Sequence, residues 1–279
     1  MEAHDTEPGY QENLQAWRED YQQKLLADTG WFSAAGLFWL EPGDTPFGRD
    51  LGGGLLLPEG DKHEAVGTFH LEGNTVRLQT PAGAPLRVGG RLVAEASFRL
   101  ERDGDAEPIA LGEQTIRIIR RGGRFAVRLY DKNAPSYRSF GGLNWFPVDP
   151  GYRLEARFEA YAQPETVKIS TILGDVRDAR VPGRAVFTLA GREHSLLPIL
   201  AGKKLFFIFR DETSREETYP AGRFLYTDLP RNGSVMLDFN YATNPPCAYT
   251  DHATCPLPLP GNHLPVRIPV GEKRYVART

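Results

Sequence analysis

Gln114-Thr115-Ile116-Arg117-Ile118-Ile119-Arg120, then Arg121-Gly122-Gly123, then Arg124-Phe125-Ala126-Val127-Arg128-Leu129-Tyr130 is the stretch that decides the fold class. Two β-forming runs flank a glycine pair, the pattern of a hairpin. In the second run Phe125, Val127 and Leu129 alternate with Ala126, Arg128 and Tyr130, which predicts a strand buried on one face. The same pattern spreads outward. Val66 to Leu71 and Thr75 to Gln79 flank Glu72-Gly73-Asn74, and Leu86 to Val88 and Arg91 to Ala94 flank Gly89-Gly90. Downstream, Arg153 to Tyr161 alternates, and Thr166 to Leu173, Ala185 to Leu189, Ser195 to Leu200, Lys204 to Arg210, Arg223 to Tyr226 and Ser234 to Phe239 read as further strands. Leu264 to Val270 carries Pro265 and Pro269, so it reads as an edge or extended segment. One helix precedes them all: Leu14, Trp17, Tyr21 and Leu25 recur at spacings of three and four among charged residues, a stripe suited to covering a sheet.

The predicted fold is therefore all-β with an N-terminal amphipathic helix, built as two packed β units of sandwich or barrel type. The predicted divisions are a helix and tail over 1–30, a sandwich-like unit over 31–140, and a C-terminal β unit with a proline-rich tail over 141–279. The chain has 279 residues, 41% hydrophobic and 25% charged, enough apolar matter for a sizeable core. Its 29 glycines and 22 prolines fit many turns. With 33 basic and 36 acidic residues the net charge is −3, and the basic excess of a nucleic-acid binder is missing. No apolar run approaches the ~18 residues of a membrane helix. Met1 to Tyr10 is polar and acidic, unlike a signal peptide. The expected setting is cytoplasmic, with neither nucleic acid nor membrane as partner; the oligomeric state is not legible.

Four segments together carry a resemblance. They are Gly30-Trp31 through Gly36-Leu37-Phe38-Trp39-Leu40; Phe209-Arg210-Asp211-Glu212-Thr213 with Thr218-Tyr219 and Gly222-Arg223-Phe224-Leu225; Leu237-Asp238-Phe239-Asn240 with Asn244-Pro245-Pro246-Cys247-Ala248-Tyr249; and Cys255-Pro256-Leu257-Pro258 with Gly261-Asn262 and Leu264. The chain resembles, from about Leu14 to Tyr275, the bacterial and archaeal family known as domain of unknown function 1684. That resemblance implies no particular chemistry. A second, shorter likeness runs from Phe47 to Arg128. Phe47-Gly48-Arg49, Leu55-Leu56-Leu57-Pro58, Val88-Gly89-Gly90-Arg91 and a strand at Ile116 look similar to a forkhead-associated sandwich. Arg49 matches that family's phosphate-reading arginine, but Lys62-His63-Glu64 stands where its serine and histidine belong. The likeness implies a sandwich topology and not phosphopeptide binding.

Two constellations could carry chemistry. Cys247 and Cys255, with Asp251 and His252, form Cys-x3-Asp-His-x2-Cys. Three readings stand: reduced structural thiols, a disulfide closing a seven-residue loop, or a metal or redox pair. Zinc is the minor reading, since the two-residue knuckle spacing and a second cluster are both missing, and no cofactor is expected. The second constellation is polar. Asp211, Glu217 and Tyr219 are the candidate catalytic residues, with the two carboxyl groups as acid and base if burial shifts them. Arg138, Thr213, Arg223, Asp238, Asn240 and Asn244 are the candidate ligand contacts, the arginines because a guanidinium grips a carboxylate or phosphate in a fork. Asp238 and Asn240 fall on one face of a predicted strand, where such residues need compensation. The expected function is binding of a small polar or anionic ligand in the C-terminal unit, with hydrolysis the first reaction to test. The rival is a non-enzymatic protein-interaction module in which the same cluster is a structural network. Neither a Gly-x-Ser-x-Gly elbow nor a phosphate loop is present, and the glycines at 52–54 precede a strand rather than a helix.

Overall fold

A computed structural model describes residues 9–48, 55–56, 65–81 and 86–278. Arg49, Leu57-Pro58, Lys62-His63-Glu64 and the glycines at 52–54 lie outside the described residues. The chain divides into two compact units, 25–138 and 139–279 joined by the N-terminal stretch through Lys24. The first helix thus groups with the C-terminal half instead of standing apart.

Among the described residues the single long helix is α1 (Tyr10–Leu25). The unit 25–138 then holds β1 (Ala34–Trp39), β2 (Gly43–Gly48), β3 (Leu55–Leu56), β4 (Ala65–Glu72), β5 (Thr75–Gln79), β6 (Leu86–Val88), β7 (Arg91–Leu92), β8 (Glu95–Arg99), β9 (Gly104–Asp105), β10 (Ile109–Leu111), β11 (Gln114–Arg121) and β12 (Arg124–Tyr130), and ends in the short α2 (Pro135–Arg138). Two sheets form, ordered β1-β12-β11-β10-β6-β7 with β9 on β11, and β3-β2-β4-β5-β8. One core joins them. Phe47, Phe69 and Leu78 from the second sheet pack with Ile116, Val127 and Leu129 from the first, and the Phe47 and Phe69 rings stack at 4.5 Å. The three glycine hairpins are there, at β4–β5, β6–β7 and β11–β12. The prediction of a half-buried β12 needs correcting: Ala126, Arg128 and Tyr130 are buried as well. Arg128 is only 1% exposed, with its guanidinium 4.8 Å over the Trp31 ring, so an amphipathic side chain hides a polar face that periodicity assigns to water.

The other unit holds β13 (Arg153–Ser170), β14 (Val176–Leu189), β15 (Arg192–Leu196), β16 (Ile199–Ala201), β17 (Lys204–Phe209), β18 (Arg223–Asp228) and β19 (Ser234–Asp238). They make two sheets, β15-β14-β13-β19 and β16-β17-β18. The expected strands from Arg153 and from Thr166 are one 18-residue strand, broken in register between Ala160 and Glu165. Pro164 sits in that bulge, where a missing N–H costs the ladder nothing. Opposite it, a Cβ at Gly183 would run into the Glu159 carbonyl and the Phe158 ring, so only glycine fits. The expected strand from Ser195 to Leu200 is instead two strands in different sheets, with Pro198 at the crossing. The segment 264–270 pairs through Leu264 N–H to the Arg210 carbonyl at 2.8 Å and through the Val266 carbonyl, which accepts from the Glu212 N–H at 3.2 Å, and forms no strand beyond that. Its Leu264, Ile268 and Val270 complete a core shared with Phe187, Phe207, Phe209 and Phe239. Among the described residues no helix is long and apolar enough to cross a membrane.

Candidate functional site

The loop between β17 and β18 holds the polar cluster around Asp211. Both Asp211 and Arg223 have fully buried side chains, and they pair at 3.2 Å. Arg223 also donates to the carbonyls of Ile268, at 2.8 Å, and Val270. Asp211 accepts from the Thr213 hydroxyl at 2.9 Å, from Ser214 and from the Ile268 N–H at 2.7 Å. Thr213 is held in turn by Thr218. Burial pulls the Arg223 pKa down and the Asp211 charge opposes it. The cluster presents no open face for a ligand. It ties the tail to the β17–β18 hairpin: Asp211, expected as a catalytic residue, and Thr213 and Arg223, expected as ligand contacts, bond to one another and to that tail.

The other expected residues scatter. Glu217 forms a partly exposed ion pair with Arg267. The Tyr219 hydroxyl donates to the Cys247 carbonyl at 2.8 Å, and burial raises its pKa, so it is a donor and not a base. Arg138 belongs to the unit 25–138 and donates to Asn133. Asp238 ends β19 and caps a 3-10 turn over Phe239–Tyr241, accepting from the Asn240 N–H at 3.1 Å and from the Tyr10 hydroxyl at 2.7 Å. Asn240 therefore lies in the turn, not on a strand face beside Asp238. Its side chain pairs with both backbone groups of Asp149, at 3.0 and 2.9 Å.

Asn244 leads to a group that sequence reading passed over. Its N–H donates to Glu272 at 2.8 Å, and its Oδ1 is buried without a hydrogen-bond partner. Glu272 is fully buried, and both its oxygens accept from the Tyr249 hydroxyl, at 2.7 and 2.8 Å. Desolvation pushes the Glu272 carboxyl up to about 7, against the lowering effect of Asn244, Tyr249 and the Arg223 charge. Gly271 makes the approach possible: its φ is +79°, and a Cβ there would meet the Ala242 and Phe239 carbonyls at 2.7 and 2.8 Å. The only local signal was an acid and a glycine directly after the apolar segment ending at Val270.

Beyond Tyr249 the chain of hydroxyls continues. Tyr21 of α1 meets Tyr249, oxygen to oxygen, at 3.2 Å. Tyr21 also lines a cavity of about 680 Å³ at the facing edges of β18 and β19. Trp17, Tyr226 and Tyr241 complete its aromatic lining. Trp17 and Tyr21, four residues apart on one helix face, stack at 5.4 Å, and Tyr241 meets Trp17 edge-on at 4.7 Å. Glu155, Lys204, Asp228 and Arg231 bring charge of both signs, and Thr243 a hydroxyl. None of the residues expected to bind or catalyse lines this cavity.

No disulfide joins Cys247 and Cys255; the first is partly exposed and the second buried. The Cys247 N–H donates to the Cys255 sulfur at 3.3 Å, and the hydrogen bond between the side chains holds the Cys247 thiol below its ordinary pKa, against the effect of burial. Among the described residues no three of His, Cys, Asp and Glu gather as metal ligands, so Asp251 and His252 do not complete a donor set. An aromatic disulfide reagent should modify one thiol quickly in the native protein and the second at least ~10-fold more slowly, with two equivalents released on unfolding. Equal native rates would contradict this asymmetry.

A family model described as "Protein of unknown function (DUF1684)" matches residues 138–273. The solution NMR structure of an uncharacterized protein of Haloarcula marismortui is 31% identical over 51% of this chain and 82% of that one, with a TM-score of 0.43. No curated protein matches the sequence.

Proposed function

Because the chain belongs to the DUF1684 family, whose function is unknown, we propose a function from its own geometry: the unit formed by α1 and 139–279 binds a small molecule with a flat apolar body and a polar end. The aromatic cavity carries this reading. Its four rings offer flat apolar walls, and its charged residues offer the few oriented polar contacts that a small-molecule site combines with such walls. Binding is favoured over hydrolysis, since Asp211, Glu217 and Tyr219 face separate partners. The unbridged thiols fit a reducing compartment, the cytoplasm.

A thermal-shift screen of aromatic acids, phenols and their neutral ethers tests the reading. A ligand at a hundred times its Kd should raise Tm by about 5–10 °C. Tyr226 is 51% exposed, so Tyr226→Ala should fold normally and lose that shift. No shift with any class would refute small-molecule binding. A second reading, docking of a protein, has its own observation: Tyr226, Leu229 and Met236 are exposed large hydrophobics at the same cavity. It predicts no shift in the screen and a Tyr226→Ala protein that is more soluble than wild type.

A further inference from the structure

We infer that Glu272, Tyr249 and Tyr21 form an acid–base relay that accepts a proton from a weakly acidic hydroxyl, such as a phenol or enol, of a molecule in the aromatic cavity. The inference rests on the cavity reading above. Its first support is direction. The Tyr249 O–H is committed to the carboxylate, so in the Tyr21–Tyr249 contact Tyr21 must donate. Tyr21 itself lines the cavity, together with Thr243 and its hydroxyl. The donors therefore run from the cavity wall inward to Glu272. Its second support is enclosure: Glu272 has no exposed surface, so this chain of hydroxyls is a path between its carboxyl and the cavity.

The groups facing Glu272 from each side are compatible with a gain of charge or its loss. The Tyr249 hydroxyl and Asn244 N–H bond to it, the Arg223 guanidinium on β18 acts on it through space, and Tyr21 stands one step away. Lys273, its neighbour, holds its ammonium 4.7 Å over the Phe146 ring, and the Tyr275 ring packs edge-on against Tyr249. The orphaned Oδ1 of Asn244 is an acceptor without a donor, the kind of partner a protonated carboxyl needs. A carboxyl raised to about 7 changes charge in the working range of a general base.

The step is a proton shift alone. The bound hydroxyl gives its proton to Tyr21 as Tyr21 gives its own to Tyr249 and Tyr249 its own to Glu272. The ligand becomes an oxyanion, the carboxylate becomes a carboxyl, both tyrosines end neutral, and no electron pair leaves either molecule. Lys204 and Arg231 at the cavity supply positive charge for the oxyanion.

The probe pair m-nitrophenol and m-nitroanisole tests this, because the first is mostly neutral at pH 7.5 and strongly coloured only when ionised, and the second has no proton to give. Each is titrated into wild type, Glu272→Gln and Tyr249→Phe in weak buffer at pH 7.5, with colour and solution pH followed together. In wild type, bound m-nitrophenol should turn coloured without releasing a proton to solvent. In both variants its ionisation constant should fall at least about tenfold while m-nitroanisole binds as before. Tyr249→Phe decides if Glu272→Gln does not fold. If both probes bind but the phenol stays colourless, ionises with release of a proton, or behaves alike in all three proteins, the relay is overturned and the cavity reading stands. If neither probe binds, both fall.

Discussion

Replacing Arg223 with methionine is expected to cost about 3–5 kcal/mol of folding stability, the usual result of removing one member of a buried ion pair. The structure says why the loss is at the upper end for a single substitution. Asp211 would remain fully buried with its charge uncompensated, and the carbonyls of Ile268 and Val270 would lose the donors that Arg223 provides. Those carbonyls belong to the tail whose Ile268 and Val270 fill the core, so the tail would loosen with them. The control is Arg267→Met, which breaks the pair with Glu217. There the arginine side chain is half exposed, and solvent screens such a pair, so its loss should cost little. Urea unfolding of both variants, followed by far-ultraviolet circular dichroism, measures the difference. The double variant Arg223→Met with Asp211→Leu should recover part of the loss, since no lone charge remains. Equal, small effects at Arg223 and Arg267 would mean that Asp211 and Arg223 are not the internal tie described here.

What the sequence made legible follows from the range of the forces involved. Hairpins such as β11–β12 and β4–β5 are local: a turn glycine and a period of two are both written within about twenty residues. The helix stripe was legible too, and its Trp17 and Tyr21 turn out to wall the cavity. Pro164 and Pro198 lie where the observed strands depart from the expected ones, in opposite ways. One sits in a bulge inside a continuous strand, while the other marks a true change of sheet within what reads as a single strand. The composition of the Asp211 cluster was visible, but its burial was not, because the groups that enclose it lie more than forty positions away at Ile268 and Val270. Glu272 was hidden for the same reason. Its significance depends on Tyr249, 23 positions away, and beyond it on Tyr21 at the far end of the chain. A lone acid in a tail reads as solvent-exposed until the fold places it.

Glu272 should also give the protein a falling stability between about pH 4.5 and pH 7. In the folded chain its carboxyl is raised to about 7 from an ordinary 4.5, mainly by desolvation. Between those values the folded state holds a proton that the unfolded state has released, so each rise in pH favours unfolding. The advantage of burying the neutral form is complete below 4.5, disappears as pH climbs through 7, and changes no further above it. A raise of that size corresponds to about 3 kcal/mol. Glu272→Gln separates this contribution from every other titrating group. Glutamine is always neutral and its carbonyl still accepts from Tyr249, but its amide meets the Asn244 N–H donor to donor, at a cost of about 1–3 kcal/mol. The variant should therefore be less stable than wild type at pH 5 by that amount, and the gap should close or reverse by pH 8. Urea titrations at pH 5, 6, 7 and 8 read it directly. Wild-type and variant curves that stay parallel across that range would place the Glu272 carboxyl in one protonation state throughout, and a carboxyl that cannot change state cannot take a proton from the cavity.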